Sequence, residues 1–359
     1  MNNEKIWTNI KVGDMTLDHR LAMAPMTRSR ANADGTINDT AIKYYAQRAS
    51  MGLIISEGTQ PSLEGQGYIK SPGIYTQDHI DAWKKVTEAV HEKGGKFFIQ
   101  LMHAGRMNHP DNTPDHHIGV APSAIAPENG VIFTAQGRQE IPTPRELTIS
   151  EINKTINDFR LAARAAIQAG ADGVEIHGAN GYLIHEFLGA NSNLRTDEYG
   201  GSIENKIRFA LEVTRAVAEE IGADKVGIRI SPFASFSTIN EGDEGALIYE
   251  QLTRELNKLG LAYLHVLHTE NEQILNNIRS NWNGVLIVNR YGRSLDDIAV
   301  DLNNDVADMI SVGTWALANP DFPERLRNGL ELNTPDPMTF FGGDEVGYID
   351  YPTIKGVEN

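Results

Sequence analysis

The chain has 359 residues, with 32 Lys and Arg against 48 Asp and Glu, a formal charge of −16 that leaves no basic face for nucleic-acid phosphates or an anionic membrane. It contains no cysteine, which excludes disulfides, thiolate nucleophiles and cysteine-ligated clusters and leaves any redox chemistry to a bound organic cofactor. A hydrophobic share of 40% with 22% charged residues suits a globular core, and the absence of any signal-like run or of about 18 consecutive apolar residues reads as a cytoplasmic protein.

In chain order, residues 1–20 alternate around a Gly13-Asp14 turn and predict a hairpin that closes the bottom of the fold. LAMAP at 21–25 and GLIISEG at 52–58 read as buried strands, with a helical stretch from Thr40 to Ser50 between them. A helix, a Gly or Asn stop and a short apolar strand then recur, the strands ending near residues 100, 177, 230, 266, 288 and 312. Thr148 and Glu151 fit a capping box ahead of Ile152, Ile156, Phe159, Ala163 and Ile167, and Gly170 supplies the stop. Leu252, Leu256 and Leu259 before Gly260 repeat the device. Residues 103–148, proline-rich and outside the repeat, predict a long capping excursion within one domain spanning 1–359.

Short apolar strands alternating with helices imply a parallel sheet covered by helices. Eight of them favour a single (β/α)8 TIM barrel, class α/β, over an open doubly wound sheet, which would need a glycine-rich dinucleotide or phosphate loop that this chain lacks. Active sites of such barrels form at the C-terminal strand ends. Those ends are polar here: Pro25-Met26-Thr27-Arg28, Glu57-Gly58-Thr59, Gln100 and His103, His177 and Asn180, Arg229 and Ser231, Asn289, and Gly313-Thr314. No lysine suited to a Schiff base lies among them. Neither Glu175 with His177 nor the loop histidines 103, 109, 116 and 117 offer a convincing ligand set, so no metal is assigned.

APMTR at 24–28, SEGT at 56–59, QLMHAGR at 100–106, EIHGANGYLIHEFL at 175–188, SNLRTDEYGGS at 192–202, IRISP at 228–232, ANPDF at 318–322 and GYIDYP at 347–352 resemble, in order, the Old Yellow Enzyme family. The resemblance implies an FMN-dependent oxidoreductase, an ene-reductase that uses NADH or NADPH to reduce FMN and then reduces an electron-poor alkene; the expected state, monomer or homodimer, is left open by the sequence. It places the flavin on Pro25, Met26, Thr27, Gly58, Gln100 and Arg229. The residue chemistry agrees, since the Gln100 amide matches N3–H and O2, Arg229 suits the N1/O2 locus, Thr27 can donate to O4, and Gly58 admits the ring without a Cβ. The resemblance also assigns His177 and Asn180 to the substrate's activating group, Tyr182 to proton donation, and Tyr68 and Tyr351 to the substrate pocket. Two donors aimed at a developing oxyanion and a neutral phenol near the α-carbon are what alkene reduction requires.

The chain departs from the family at two places. Thr314 follows Gly313 where relatives carry an arginine for the FMN phosphate, so the loop Tyr291-Gly292-Arg293 must help: Arg293, or Arg290, restores the charge, or backbone donors at Gly292 and Gly313 suffice. Met102 stands where relatives frequently carry Trp, which predicts an altered substrate pocket. A catalytically silent flavin-binding or small-ligand-binding barrel is the competing reading.

Overall fold

The computed structural model describes residues 3–234, 238–268 and 271–356. Eight parallel strands close a barrel in chain order: β1 (Leu21–Met23), β2 (Leu53–Ile55), β3 (Phe97–Leu101), β4 (Gly173–Gly178), β5 (Val226–Ile230), β6 (Tyr263–His268), β7 (Leu286–Arg290) and β8 (Met309–Val312). Closure comes from Ile310, Ser311 and Val312 pairing with Leu21, Ala22 and Met23. The fold is the (β/α)8 barrel expected from the repeat. Helices Gln77–Glu92, Ile149–Gln168, Ile203–Ile221, Gly245–Asn257 and Glu272–Asn281 are the longest of its outer ring.

The period-two alternation of the strands sorts their side chains into two cores. Outward residues such as Phe97, Ile99, Val174, Ile176, Val226 and Ile228 meet helix residues including Trp83, Phe159 and Val213. Inward residues Ala22, Leu53, Ile55, Phe98, Tyr263, Ile287 and Met309 form a separate apolar cluster in the barrel's lower half. Val12 and Leu17 join it from the predicted hairpin, in which Ile10–Val12 pairs antiparallel with Met15–Leu17. The Gly13 turn has φ +55°, and a Cβ there would lie 1.9 Å from the Asp224 carbonyl oxygen, so only glycine fits between hairpin and barrel.

The Thr148 capping box is present, with the Thr148 N–H donating to the Glu151 carboxylate at 2.8 Å. The helix it starts buries Ile152, Thr155, Phe159, Ala162, Ala163 and Ala166. Ile156 and Ile167, expected on that face, lie at its edge and are only half-buried, because alanines let the helix approach the barrel closely. A second capping box, at Thr76 and His79, escapes the usual sequence signature because its partner is a histidine.

The excursion of residues 103–148 contains a parallel pairing of Val120–Ala121 with Arg145–Glu146 and an antiparallel hairpin, Val131–Thr134 with Gly137–Glu140. It is tied to the segment after β4. The Leu183 N–H donates to the His103 carbonyl oxygen at 3.1 Å, and the Arg106 N–H donates to Glu186 Oε1 at 2.7 Å. Glu186 is fully buried and its Oε2 has no partner. Burial, opposed only in part by Arg106, pushes its carboxyl up from 4.5 to about 8. Such a group costs nothing while folded and unfolded states are both protonated, and it lowers stability as pH climbs from 4.5 to about 8. Glu186→Gln is therefore expected to melt above the wild type at pH 8, with the gap shrinking toward pH 5. An equal gap at both pH values, in thermal melts followed by circular dichroism, contradicts this account.

Candidate active site

Above the apolar floor the inward positions turn polar. Steps of two along the strands lead from Phe98 to Gln100, along β4 to Glu175 and His177, from Gly227 to Arg229, from Tyr263 to His265, from Ile287 to Asn289 and from Met309 to Ser311. These side chains bond across the lumen. Gln100 Nε2 donates to Glu175 Oε1 and His265 Nδ1 to Glu175 Oε2, each at 2.8 Å, while Ser311 Oγ donates to His265 Nε2 at 2.8 Å. Burial pushes the Glu175 carboxyl up, but His265, Arg229 and the Gln100 amide outweigh it and hold it below its ordinary value. Burial and Arg229 lower His265 despite Glu175, so the imidazole is neutral and the charges of the layer are Glu175 and Arg229.

This layer fixes two orientations. The carboxylate requires Nε2 of Gln100 on its side, which turns Oε1 away from it as a free acceptor. Arg229 places only Nη2 on a partner, Asn289 Oδ1 at 3.1 Å, and leaves Nε and Nη1 buried and unpaired. Buried cationic donors without an acceptor are costly. Their place beside His177 in strand register fits an electron-rich edge such as a flavin's N1/O2 locus.

The strand ends surround a cavity of about 290 Å³. Pro25, Thr27, Tyr68, Gln100, Met102, His177, Asn180 and Tyr182 line it, as do Ser29 and Phe341, which sequence reasoning missed. The Tyr68 and Tyr182 hydroxyls are hydrogen-bonded at 3.1 Å. His177 Nδ1 accepts from the Ala179 N–H at 3.2 Å, which leaves Nε2 as the protonated donor, and burial with Arg229 nearby lowers its pKa well below 6.5. Burial raises the Tyr182 phenol, so it stays protonated at neutral pH. Gly58 lies against Met102, whose Sδ would be 2.5 Å from a Cβ there, and Met26 lies against Gly313.

Tyr351 does not line the cavity. Its hydroxyl accepts from the Asp336 N–H at 2.9 Å, and the wall facing β1 comes from Phe341 of the same C-terminal segment. Two arginines staple that segment down. Buried Arg28 donates to the carbonyl oxygens of Phe340 (2.9 Å) and Gly347 (2.8 Å), and Arg30 to those of Asp344 and Thr339 (both 3.0 Å). Both guanidinium groups lie over the Tyr348 ring, at 4.9 and 4.5 Å from its centroid. Phe341 gives no sequence signal of its own, since an aromatic in a turn-rich tail reads as ordinary packing.

The model of the NADH:flavin oxidoreductase / NADH oxidase family matches residues 5–333. The chain belongs to that family. Among curated relatives, a probable flavin mononucleotide-dependent alkene reductase of Leishmania infantum is 42% identical over 95% of both chains. A 12-oxophytodienoate reductase 2 of Arabidopsis thaliana is 41% identical over 97% of this chain and 95% of its own. Among solved structures, morphinone reductase in complex with tetrahydroNAD superposes with a TM-score of 0.92 at 42% identity, over 97% of each chain. An old yellow enzyme homologue from Zymomonas mobilis reaches 0.93 at 36% identity, over 97% of this chain and 99% of its own. The protein is an FMN-dependent oxidoreductase with the barrel of these relatives.

In this flavin oxidoreductase the residues expected to replace the phosphate arginine do not meet the others. Arg293 Nη1 donates to Asp301 at 2.7 Å, and Arg290 is held by Asp301, Glu272 and His268. Asp301 is buried, and the two arginines with Gly292 line a separate polar recess. Gly313 lies against Met26, and Thr314, next in the chain, is exposed. Arg293→Ala is accordingly expected to change the FMN dissociation constant less than about threefold. Thr314→Arg should tighten it tenfold or more, the worth of a charge-assisted contact of roughly 1.5–3 kcal/mol. Riboflavin, which lacks the phosphate, should bind all three proteins alike, and a large loss confined to FMN in Arg293→Ala would restore that residue to the site.

Proposed function

We propose that the protein reduces the carbon–carbon double bond of electron-poor alkenes with NAD(P)H as reductant, and that its FMN lies over the polar layer. Thr27, Gln100 and Arg229 would frame the pyrimidine edge, Pro25, Met26 and Gly58 the ring, and Gly313 and Thr314 the phosphate end, while Gly292 and Arg293 stay in their separate recess. When bound and reduced by NAD(P)H, FMN would supply the hydride for the alkene's β-carbon. The names of the relatives, an alkene reductase, a 12-oxophytodienoate reductase and a morphinone reductase, support an activated-alkene substrate, and the tetrahydroNAD complex supports the reductant.

The side chains supply the rest. Hydride addition puts negative charge on the oxygen of the activating group, and His177 Nε2–H and the Asn180 amide are the donors for it. His177 meets this need because it is neutral and its Nδ1 is already occupied. Tyr182 then gives its phenolic proton to the α-carbon as general acid, with Tyr68 hydrogen-bonded to its hydroxyl. Tyr68, Met102 and Phe341 form the walls. The convergence of His177, Asn180 and Tyr182 on one cavity beside the unpaired donors of Arg229 carries this reading.

Tyr182→Phe should leave the half-reaction with NAD(P)H nearly intact and slow the half-reaction with 2-cyclohexenone by about 10²–10⁴-fold, the usual worth of a general acid. Stopped-flow absorbance near the flavin band separates the two, and equal loss in both removes Tyr182 from the mechanism. His177→Ala should weaken phenol binding and raise the enone barrier by roughly 2.7–4 kcal/mol. Unchanged turnover there would make His177 structural.

A further inference from the structure

The loop between β4 and the helix Leu183–Leu188 presents Asn180 and Tyr182 to the cavity, and its backbone is unusual. Asn180 has φ +57°, a left-handed conformation that most residues avoid. Three successive amides of this loop are each captured by a side chain. The Ala179 N–H donates to His177 Nδ1 at 3.2 Å, the Asn180 N–H to Ser231 Oγ at 2.8 Å, and the Gly181 N–H to His185 Nδ1 at 3.0 Å. The first acceptor belongs to β4, the second to the loop after β5 and the third to the following helix.

His185 accepts at Nδ1 only when its single ring proton sits on Nε2. That edge meets Glu241 Oε1 at 3.1 Å and the Tyr249 hydroxyl oxygen at 3.0 Å. The Tyr249 hydroxyl donates to the same Glu241 oxygen at 2.7 Å, and the Phe233 N–H donates to it at 3.0 Å. Burial pushes the Glu241 carboxyl up, but the contacts with His185, Tyr249 and the Phe233 amide outweigh it and keep it an anion. All three side chains are buried, His185 and Tyr249 completely. One carboxylate oxygen thus ties His185, after β4, to Phe233, after β5.

We infer that Glu241 and His185 are positioning residues for the alkene-reducing loop: Glu241 holds His185 in its Nε2–H tautomer, and Nδ1 of that tautomer fixes the Gly181 amide so that Asn180 and Tyr182 face the cavity. This rests on the proposed roles of Asn180 and Tyr182. Neither positioning residue touches the cavity.

A packing role and a positioning role predict opposite outcomes at position 185. Asparagine puts an oxygen where Nδ1 stands and keeps the acceptor for Gly181, whereas leucine has nearly the same shape without it. Positioning predicts that His185→Leu slows the 2-cyclohexenone half-reaction roughly ten- to a hundredfold, the scale of a small misplacement of reacting groups. His185→Asn should stay within about threefold of the wild type, and FMN affinity should hold in both. Packing predicts the reverse order, because leucine suits a buried site better than an asparagine whose amide no longer reaches Glu241; a leucine variant as fast as asparagine or faster overturns the inference. Long-range ¹H–¹⁵N spectra of the wild-type holoenzyme give a measurement independent of any variant. His185 must show a bare Nδ1 and a protonated Nε2, and a protonated Nδ1 overturns the inference outright. Tyr182→Phe, measured alongside, separates the two readings: normal enone reduction there would remove Tyr182 as donor while the tautomer result stands or falls alone.

Discussion

The structure depends on a side-chain period of two, imposed on eight parallel strands at once. Each inward step of two carries the barrel from an apolar floor, at Phe98, Tyr263, Ile287 and Met309, to a polar layer at Gln100, His265, Asn289 and Ser311. A shift of one residue in a strand would exchange its inward set for the largely apolar residues that now meet the helices. Register is thus held by the same apolar burial that stabilises the barrel, and the polar groups are placed as a by-product of it. The Glu175 carboxylate then converts placement into orientation, since it faces Gln100, His265 and Arg229 together.

A buried carboxylate beneath a buried guanidinium would ordinarily be a poor bargain. Here Glu175 receives two hydrogen bonds, while Arg229 keeps two donors unpaired. The protein leaves the cationic side of the pair unfinished on the face where a flavin can complete it. Loops follow the same logic at a larger scale: Glu241 joins the segments after β4 and β5, and Glu186 joins the excursion to β4. Carboxylates that never reach the cavity therefore hold the chain that shapes it.

Most of the fold was legible in the sequence because its signals are local. Each strand is a short apolar run that alternates with a helical segment, several with their own cap and stop, and the motifs at the strand ends fell in register with that pattern. Of the cavity residues, Gln100 and His177 are placed by strand parity, whereas Pro25, Thr27, Tyr68, Met102, Asn180 and Tyr182 lie on the loops beyond the strand ends and were legible through the motifs there. Tyr351 and Arg293 were not. Their surroundings are set by partners distant in the chain, the Asp336 amide turning Tyr351 away from the cavity and buried Asp301 holding Arg293 in another recess. Phe341 was hidden because its place depends on Arg28 and Arg30, more than 300 residues earlier, gripping backbone carbonyls that have no sequence signature. His185 likewise lies within a motif, yet its partner Glu241 comes 56 residues later, after the neighbouring strand β5.

The staple by Arg28 and Arg30 also sets an order of events during synthesis. The barrel is covalently complete once β8 has been made, at Val312, whereas Phe341 leaves the ribosome 29 residues later, by 341 − 312. Until that tail docks onto the two arginines, the closed barrel presents its polar layer through a mouth that lacks one wall. The wall at Phe341 is thus the last part of the cavity lining to be made, and it stands only where Arg28 and Arg30 hold the tail.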